Sequence, residues 1–124
     1  MLTLNNVSKS YNNLRSRSIL HGLDFKLSAG EYVAIMGESG VGKSTLLNLI
    51  AGLDLPDSGS IEFDGKTLSA MSDNEATLLR RAKMGFVFQA FHVLPQLSVA
   101  QNVALPLLLN GVALIEAEKR VAEM

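Results

Sequence analysis

Gly37-Glu38-Ser39-Gly40-Val41-Gly42-Lys43-Ser44 sets two glycines, a lysine and a hydroxyl in the pattern Gly-x-x-x-x-Gly-Lys-Ser. These residue types at this spacing suit the phosphates of a purine nucleoside triphosphate. Gly37 lets the chain turn sharply, and Gly40 and Gly42 carry no Cβ, so backbone N–H groups can face phosphate oxygens. Ser39 and Val41 contribute further amides to the same curve. Lys43 is expected to reach the β- and γ-phosphates as a point charge, which makes it a candidate catalytic as well as binding residue. Ser44 is expected to place its hydroxyl on Mg²⁺, and Thr45 adds a hydroxyl for the α-phosphate. The loop alone does not choose ATP over GTP, or one class of phosphate-loop protein over another.

Such a loop works only between a strand that ends and a helix that begins. Tyr32-Val33-Ala34-Ile35-Met36 is a continuous apolar run, predicted as a strand buried on both faces. After Lys43, Leu46, Leu47, Leu49 and Ile50 recur at helical spacing until Gly52, so the helix should lend its positive N-terminal end to the phosphates. Around this unit, Leu2, Leu4 and Val7 suggest a short edge strand, Ser8–Ser18 a polar loop, and Ile19–Leu27 a half-buried strand. Ile61-Glu62-Phe63 followed by Asp64-Gly65 predicts a hairpin. Ser72 with Glu75, and Ser98 with Gln101, predict capping boxes. The first opens a helix to about Lys83, and the second opens a helix kinked or stopped near Pro106. Gly85-Phe86-Val87-Phe88 is predicted as a second buried strand, Gln89–Leu97 as a loop, and Leu114–Met124 as a final helix.

The 124 residues are 48% hydrophobic and 19% charged, a balance that folds rather than stays disordered. A net charge of −1 with acids and bases mixed argues against a nucleic-acid partner. The absence of cysteine excludes disulfides, thiolate metal sites and cysteine nucleophiles. Met1–Asn5 lacks the charged and apolar parts of a signal peptide. The longest apolar run, Val103–Leu109, is interrupted by Pro106 and is far short of the roughly 20 residues that span a bilayer. His21 and His92 have no acid at catalytic spacing and are read as structural or surface residues.

The sequence also resembles the ATP-binding subunit of ATP-binding-cassette (ABC) transporters, nearest the branch serving lipoprotein release, macrolide-type efflux and cell division. The resemblance rests on Gly30–Gly37, Ser39–Asn48, Gly52-Leu53-Asp54 with Pro56 and Ser58-Gly59, Arg80-Arg81, Gly85–Gln89, Leu94-Pro95 and Asn102–Leu107. Glu38 and Gln101 depart from the residues common in that family. The resemblance implies an α/β fold, a P-loop NTPase core with an antiparallel β subdomain, and ATP with Mg²⁺ as ligands. It implies that Tyr11 stacks on the adenine ring and that Gln89 is a catalytic and metal-facing residue meeting Mg²⁺ or the attacking water. It implies two partners, a transmembrane permease docking near Gln89–Leu97, where Phe91 and Leu94 suit an apolar contact, and a second ATP-binding subunit. The expected location is cytoplasmic, at the inner face of the cell membrane through the permease.

Hydrolysis also needs an acid for Mg²⁺ and a group that orients water. In the family these follow a Leu-Ser-Gly-Gly-Gln signature and lie on an apolar strand ending Asp-Glu. Neither pattern occurs in these 124 residues, and Val112–Glu116 lacks the Asp. The expectation is therefore the N-terminal half of such a domain, incomplete, with the β subdomain and phosphate-loop core to about residue 97 and the start of a helical subdomain over 98–124. It is expected to bind nucleotide without hydrolysing it, and unpaired strand edges are expected to favour self-association. A non-hydrolysing nucleotide-binding or interaction module, and another P-loop NTPase, remain the alternatives.

Overall fold

The computed structural model describes residues 1–12, 16–87 and 93–124. They form two compact units, Met1–Ala76 and Thr77–Met124. The first is built on an antiparallel sheet of β1 (Leu2–Asn12), β2 (Ser16–Leu27), β3 (Ser58–Phe63) and β4 (Lys66–Thr67), in the order β2-β1-β3-β4. The same unit holds α1 (Lys43–Ile50) and the start of α2 (Asp73–Lys83). Leu4 pairs with Phe25 on one side and Ile61 on the other. Leu4, Val7, Leu49 and Ile61 are the largest fully buried side chains.

β1 changes face midway. Leu2 and Leu4 are buried, Asn5 and Asn6 are exposed, and burial resumes at Val7 and Lys9. The register slips between Leu4 and Val7 against β2, and between Asn5 and Ser8 against β3. Asn6 sits in the left-handed region at φ 49, and its N–H donates to Asp24 Oδ1 at 2.7 Å. One extra residue therefore switches the inward positions from even to odd, as a β-bulge does. The neighbouring strand admits the bulge through Gly59 (φ 84), where a Cβ would lie 2.3 Å from Asn6 O and 2.5 Å from Asn5 O.

Several expectations hold. α1 spans Lys43–Ile50, and Gly52, at φ 62, closes it with its N–H on Leu49 O. Asp64 and Gly65, both at positive φ, make the β3–β4 turn. The Ser72–Glu75 box is formed, with the Glu75 carboxylate accepting from the Ser72 N–H and hydroxyl. In the second unit, α3 (Val99–Leu109) opens on the Ser98–Gln101 box, and α4 (Leu114–Ala122) packs beside it.

Three expectations are corrected. Ser8–Ser18 is not wholly a loop: β1 runs to Asn12 and β2 starts at Ser16, with Ser10 opposite Ser18 and Tyr11 opposite Arg17. Polar side chains do not prevent a ladder, because its bonds belong to the backbone. Of the two runs predicted as buried strands, Tyr32–Met36 joins no ladder among the described residues, nor does Gly85–Val87, and the Phe88 that completes the second run lies outside them. Tyr32 and Met36 are 94% and 88% exposed. An apolar run becomes a strand only where a neighbour supplies backbone partners. Finally, the short edge strand expected at Leu2, Leu4 and Val7 is the long inner strand β1, between β2 and β3. α3 carries Pro106 inside it and runs to Leu109. It ends at Gly111 (φ 80), whose N–H bonds Leu108 O while Val112 N–H bonds Leu107 O, a Schellman closure.

Candidate functional site

Residues 37–41 form an exposed curve that leads through half-buried Gly42 into α1. Gly42 caps the helix at φ 113, a conformation L side chains avoid, and a Cβ there would lie 2.5 Å from Ile19 Cγ2 on β2. Gly40 (φ 79) faces open space. No side chain caps α1, and its first turn holds no acid. The amides that begin α1 thus carry no built-in side-chain acceptor, the arrangement that receives an anion.

Lys43 folds back over this curve. Its Nζ donates to Gly37 O and Glu38 O, both at 2.7 Å. Among the described residues it pairs with no carboxylate, so its charge is held by neutral carbonyls alone. Ser44 is exposed and Thr45 half-buried, on the first turn of α1. A triphosphate fits this donor set. Mg²⁺ fits it through the Ser44 hydroxyl, with phosphate oxygens and water supplying the other ligands, as that ion prefers. No group of three or more His, Asp or Glu residues able to hold a metal occurs among the described residues.

Tyr11, near the end of β1, lies in the same unit as the loop. Its hydroxyl donates to Asp54 Oδ2 at 2.7 Å, and Thr45 is close enough to influence its titration. Lys9 Nζ stands 5.3 Å from the Tyr11 ring centroid, within cation–π range. Lys9 is only 9% exposed. It donates to Asp54 Oδ1 at 2.8 Å and Leu55 O at 2.7 Å, with Asp57 Oδ1 at 3.7 Å. Ser10 N–H and Oγ each donate to Asp57 Oδ2 at 2.7 Å. The segment after α1 is thereby tied to β1. Gln89, with Phe91 and His92, lies outside the described residues. Leu94, in the expected docking loop, is exposed, and Asn102 fixes that stretch by accepting from Leu94 N–H and donating to Leu94 O, Leu97 O and Ser98 O.

Lys9 and Asp54 were not singled out by sequence reasoning as site residues. The available signal was an inward-facing position occupied by lysine, visible only once the bulge in β1 is known. Their titration follows from the pairing. The hydrogen bond from Lys9 holds the Asp54 carboxyl below its ordinary range, and Asp54 in turn raises Lys9 and the Tyr11 phenol. A depressed acid stabilises the fold above its ordinary pKa and loses that contribution as pH falls; a raised base does so below its ordinary pKa and loses it as pH rises. The tie is therefore complete between about pH 4 and pH 10. Asp54→Asn is expected to cost about 1 kcal/mol at pH 7. That gap, read from urea midpoints of the two proteins, should close as pH falls toward 2.

The ABC transporter family matches residues 20–124. The uncharacterized ABC transporter ATP-binding protein YknY of Bacillus subtilis is 43% identical over 121 residues, which cover 97% of this chain and 53% of that protein. The lipoprotein-releasing system ATP-binding protein LolD of Pseudomonas syringae pv. tomato is 44% identical over 125 residues, covering 100% of this chain and 55% of that protein. Among solved structures, the dimeric ATP-binding cassette MJ0796 bound to ADP and Pi superposes with a TM-score of 0.92 at 39% identity, over 99% of this chain and 55% of that one. The chain spans about half the length of the curated relatives it matches.

Proposed function

Because this chain belongs to the ABC transporter family, we propose that it carries the phosphate-binding half of a cassette that binds Mg-ATP for transport by a membrane partner. The observation that carries the reading is the ammonium of Lys43 resting on Gly37 O and Glu38 O above an uncapped helix start. On this reading Gly37, Ser39, Gly40, Val41 and Gly42 offer amides to the phosphates, and Lys43 exchanges carbonyls for phosphate oxygens. Ser44 holds Mg²⁺, and Thr45 lies beside the α-phosphate. The outer face of the Tyr11 ring receives the adenine, and Gln89 faces the metal. The ADP and Pi in the cassette MJ0796 support this choice of ligand.

The partners proposed are a transmembrane permease, met near Gln89–Leu97, and a second ATP-binding subunit. That the solved neighbours are dimeric supports the second. No helix among the described residues is long and apolar enough to cross a membrane. The location proposed, on the family reading, is the cytoplasmic face through the permease. The domain division proposed is a β subdomain and phosphate-loop core to about residue 97, with helical-subdomain residues after it. No turnover is proposed for these 124 residues, whose sequence holds neither a Leu-Ser-Gly-Gly-Gln signature nor an apolar strand ending Asp-Glu.

Thermal unfolding with and without Mg-ATP, beside a phosphate-release assay, tests the proposal. Nucleotide at 100 times its dissociation constant is expected to add about 2.7 kcal/mol of stability, with phosphate release at background. An unchanged melting temperature at millimolar Mg-ATP refutes binding, and sustained phosphate release refutes the proposal that these residues bind without turnover.

A further inference from the structure

We infer that Asp54, seated against Lys9, is a positioning residue that sets the Tyr11 ring as a platform for a flat base, an inference that rests on the nucleotide-binding reading above. Asp54 divides its two oxygens: Oδ1 accepts from Lys9 Nζ at 2.8 Å and from Leu55 N–H at 2.8 Å, and Oδ2 accepts from the Tyr11 hydroxyl at 2.7 Å. The carboxylate is therefore fixed by two donors before it meets the tyrosine. Lys9 Nζ is fixed in turn by Leu55 O and stands 5.3 Å from the ring centroid. Tyr11 is nonetheless 37% exposed. A ring held at its hydroxyl and attended by one buried cation retains accessible surface on which a base can stack.

The linkage also reaches the phosphate loop. Thr45, on the first turn of α1, neighbours the same hydroxyl, while Asp54 follows the last turn of that helix. The tyrosine oxygen is thus bonded to Asp54, in the segment that follows the helix begun by the phosphate-binding amides. The bond ties the ring to the segment that carries α1, on whose first turn the phosphate-binding residues lie. Preorganisation of this kind improves affinity by removing ring motion that binding would otherwise have to freeze.

Calorimetric titration of this chain with Mg-ATP and, separately, with inorganic tripolyphosphate separates positioning from general support. Tyr11→Ala should weaken ATP by about 10-fold or more, as loss of a stacking partner does. Asp54→Ala, and independently Tyr11→Phe, should weaken ATP by roughly 3- to 10-fold and leave tripolyphosphate within about 2-fold. Asp54→Asn, which keeps a hydrogen-bonding amide in place, should recover part of the loss. Tyr11→Phe leaves the Lys9–Asp54 pair intact, so it serves even where Asp54→Ala fails to fold. Equal weakening of both ligands in Asp54→Ala and Tyr11→Phe would make the pair a general support and overturn the inference. ATP affinity unchanged in both, with Tyr11→Ala still weak, would overturn the inference and leave base stacking standing. No effect of Tyr11→Ala would remove the stacking reading itself.

Discussion

Lys43→Ala is expected to lower Mg-ATP affinity by at least about 100-fold, with little change in the far-ultraviolet circular dichroism of the unliganded chain. Among the described residues, the Lys43 Nζ bonds Gly37 O and Glu38 O, at 2.7 Å each, and no residue of the sheet. Those carbonyls belong to the exposed curve itself, so losing the ammonium frees them to water at small cost. In the complex, the same ammonium would donate to charged phosphate oxygens. Hydrogen bonds to charged groups contribute about 1.5–3 kcal/mol each, and two of them amount to roughly 3–6 kcal/mol, or more than 100-fold in affinity. Lys43→Arg should not restore binding fully, because a planar fork cannot occupy the place of a compact ammonium over a tight curve. Titration calorimetry checks both variants. Affinity within about 3-fold of the unaltered chain would mean that the triphosphate is held without this lysine.

The parts of the site that were legible in the sequence are those written in consecutive residues. Gly37 to Ser44 specify a local geometry, and the positive φ values at Gly40 and Gly42 are the ones that pattern requires. The same holds for the two capping boxes and the Asp64-Gly65 turn, whose bonds span three residues or fewer. What failed depends on partners far along the chain. Tyr32–Met36 has the composition of a buried strand, but a ladder needs a second backbone, and composition does not say whether one is at hand. Lys9 and Asp54 are 45 residues apart, and nothing in either neighbourhood marks them as a pair. The polar stretch from Ser8 to Asn12 hid a strand because its inward position carries lysine rather than an apolar residue, and Asp54 and Asp57 supply what burial alone would deny it. Pro106 is carried inside α3, which Ser98 opens and Gly111 closes shortly after the proline.

The bulge in β1 shifts the inward positions from Leu2 and Leu4 to Val7 and Lys9, and Gly59 is the residue on which that bulge leans. Gly59→Ala is expected to destabilise the chain by on the order of 3 kcal/mol, combining a strained backbone with an overpacked contact. The atoms a Cβ would meet, Asn6 O at 2.3 Å and Asn5 O at 2.5 Å, are backbone and cannot swing aside like the end of a side chain. Gly59 also stands at φ 84, so relieving the overlap by rotation would need a conformation the new residue resists equally. The remaining escape is for β1 to straighten and lose the extra residue. A one-residue slip sends every later side chain to the opposite face, which would turn Lys9 away from Asp54 and Tyr11 away from the start of α1. Gly59→Ala should therefore do two things that a simple core defect would not do together. It should lower the urea midpoint, and in the molecules that remain folded it should weaken Mg-ATP more than tripolyphosphate. A variant as stable as the unaltered chain, with its preference for ATP over tripolyphosphate intact, would show that β1 keeps its bulge without the space Gly59 leaves.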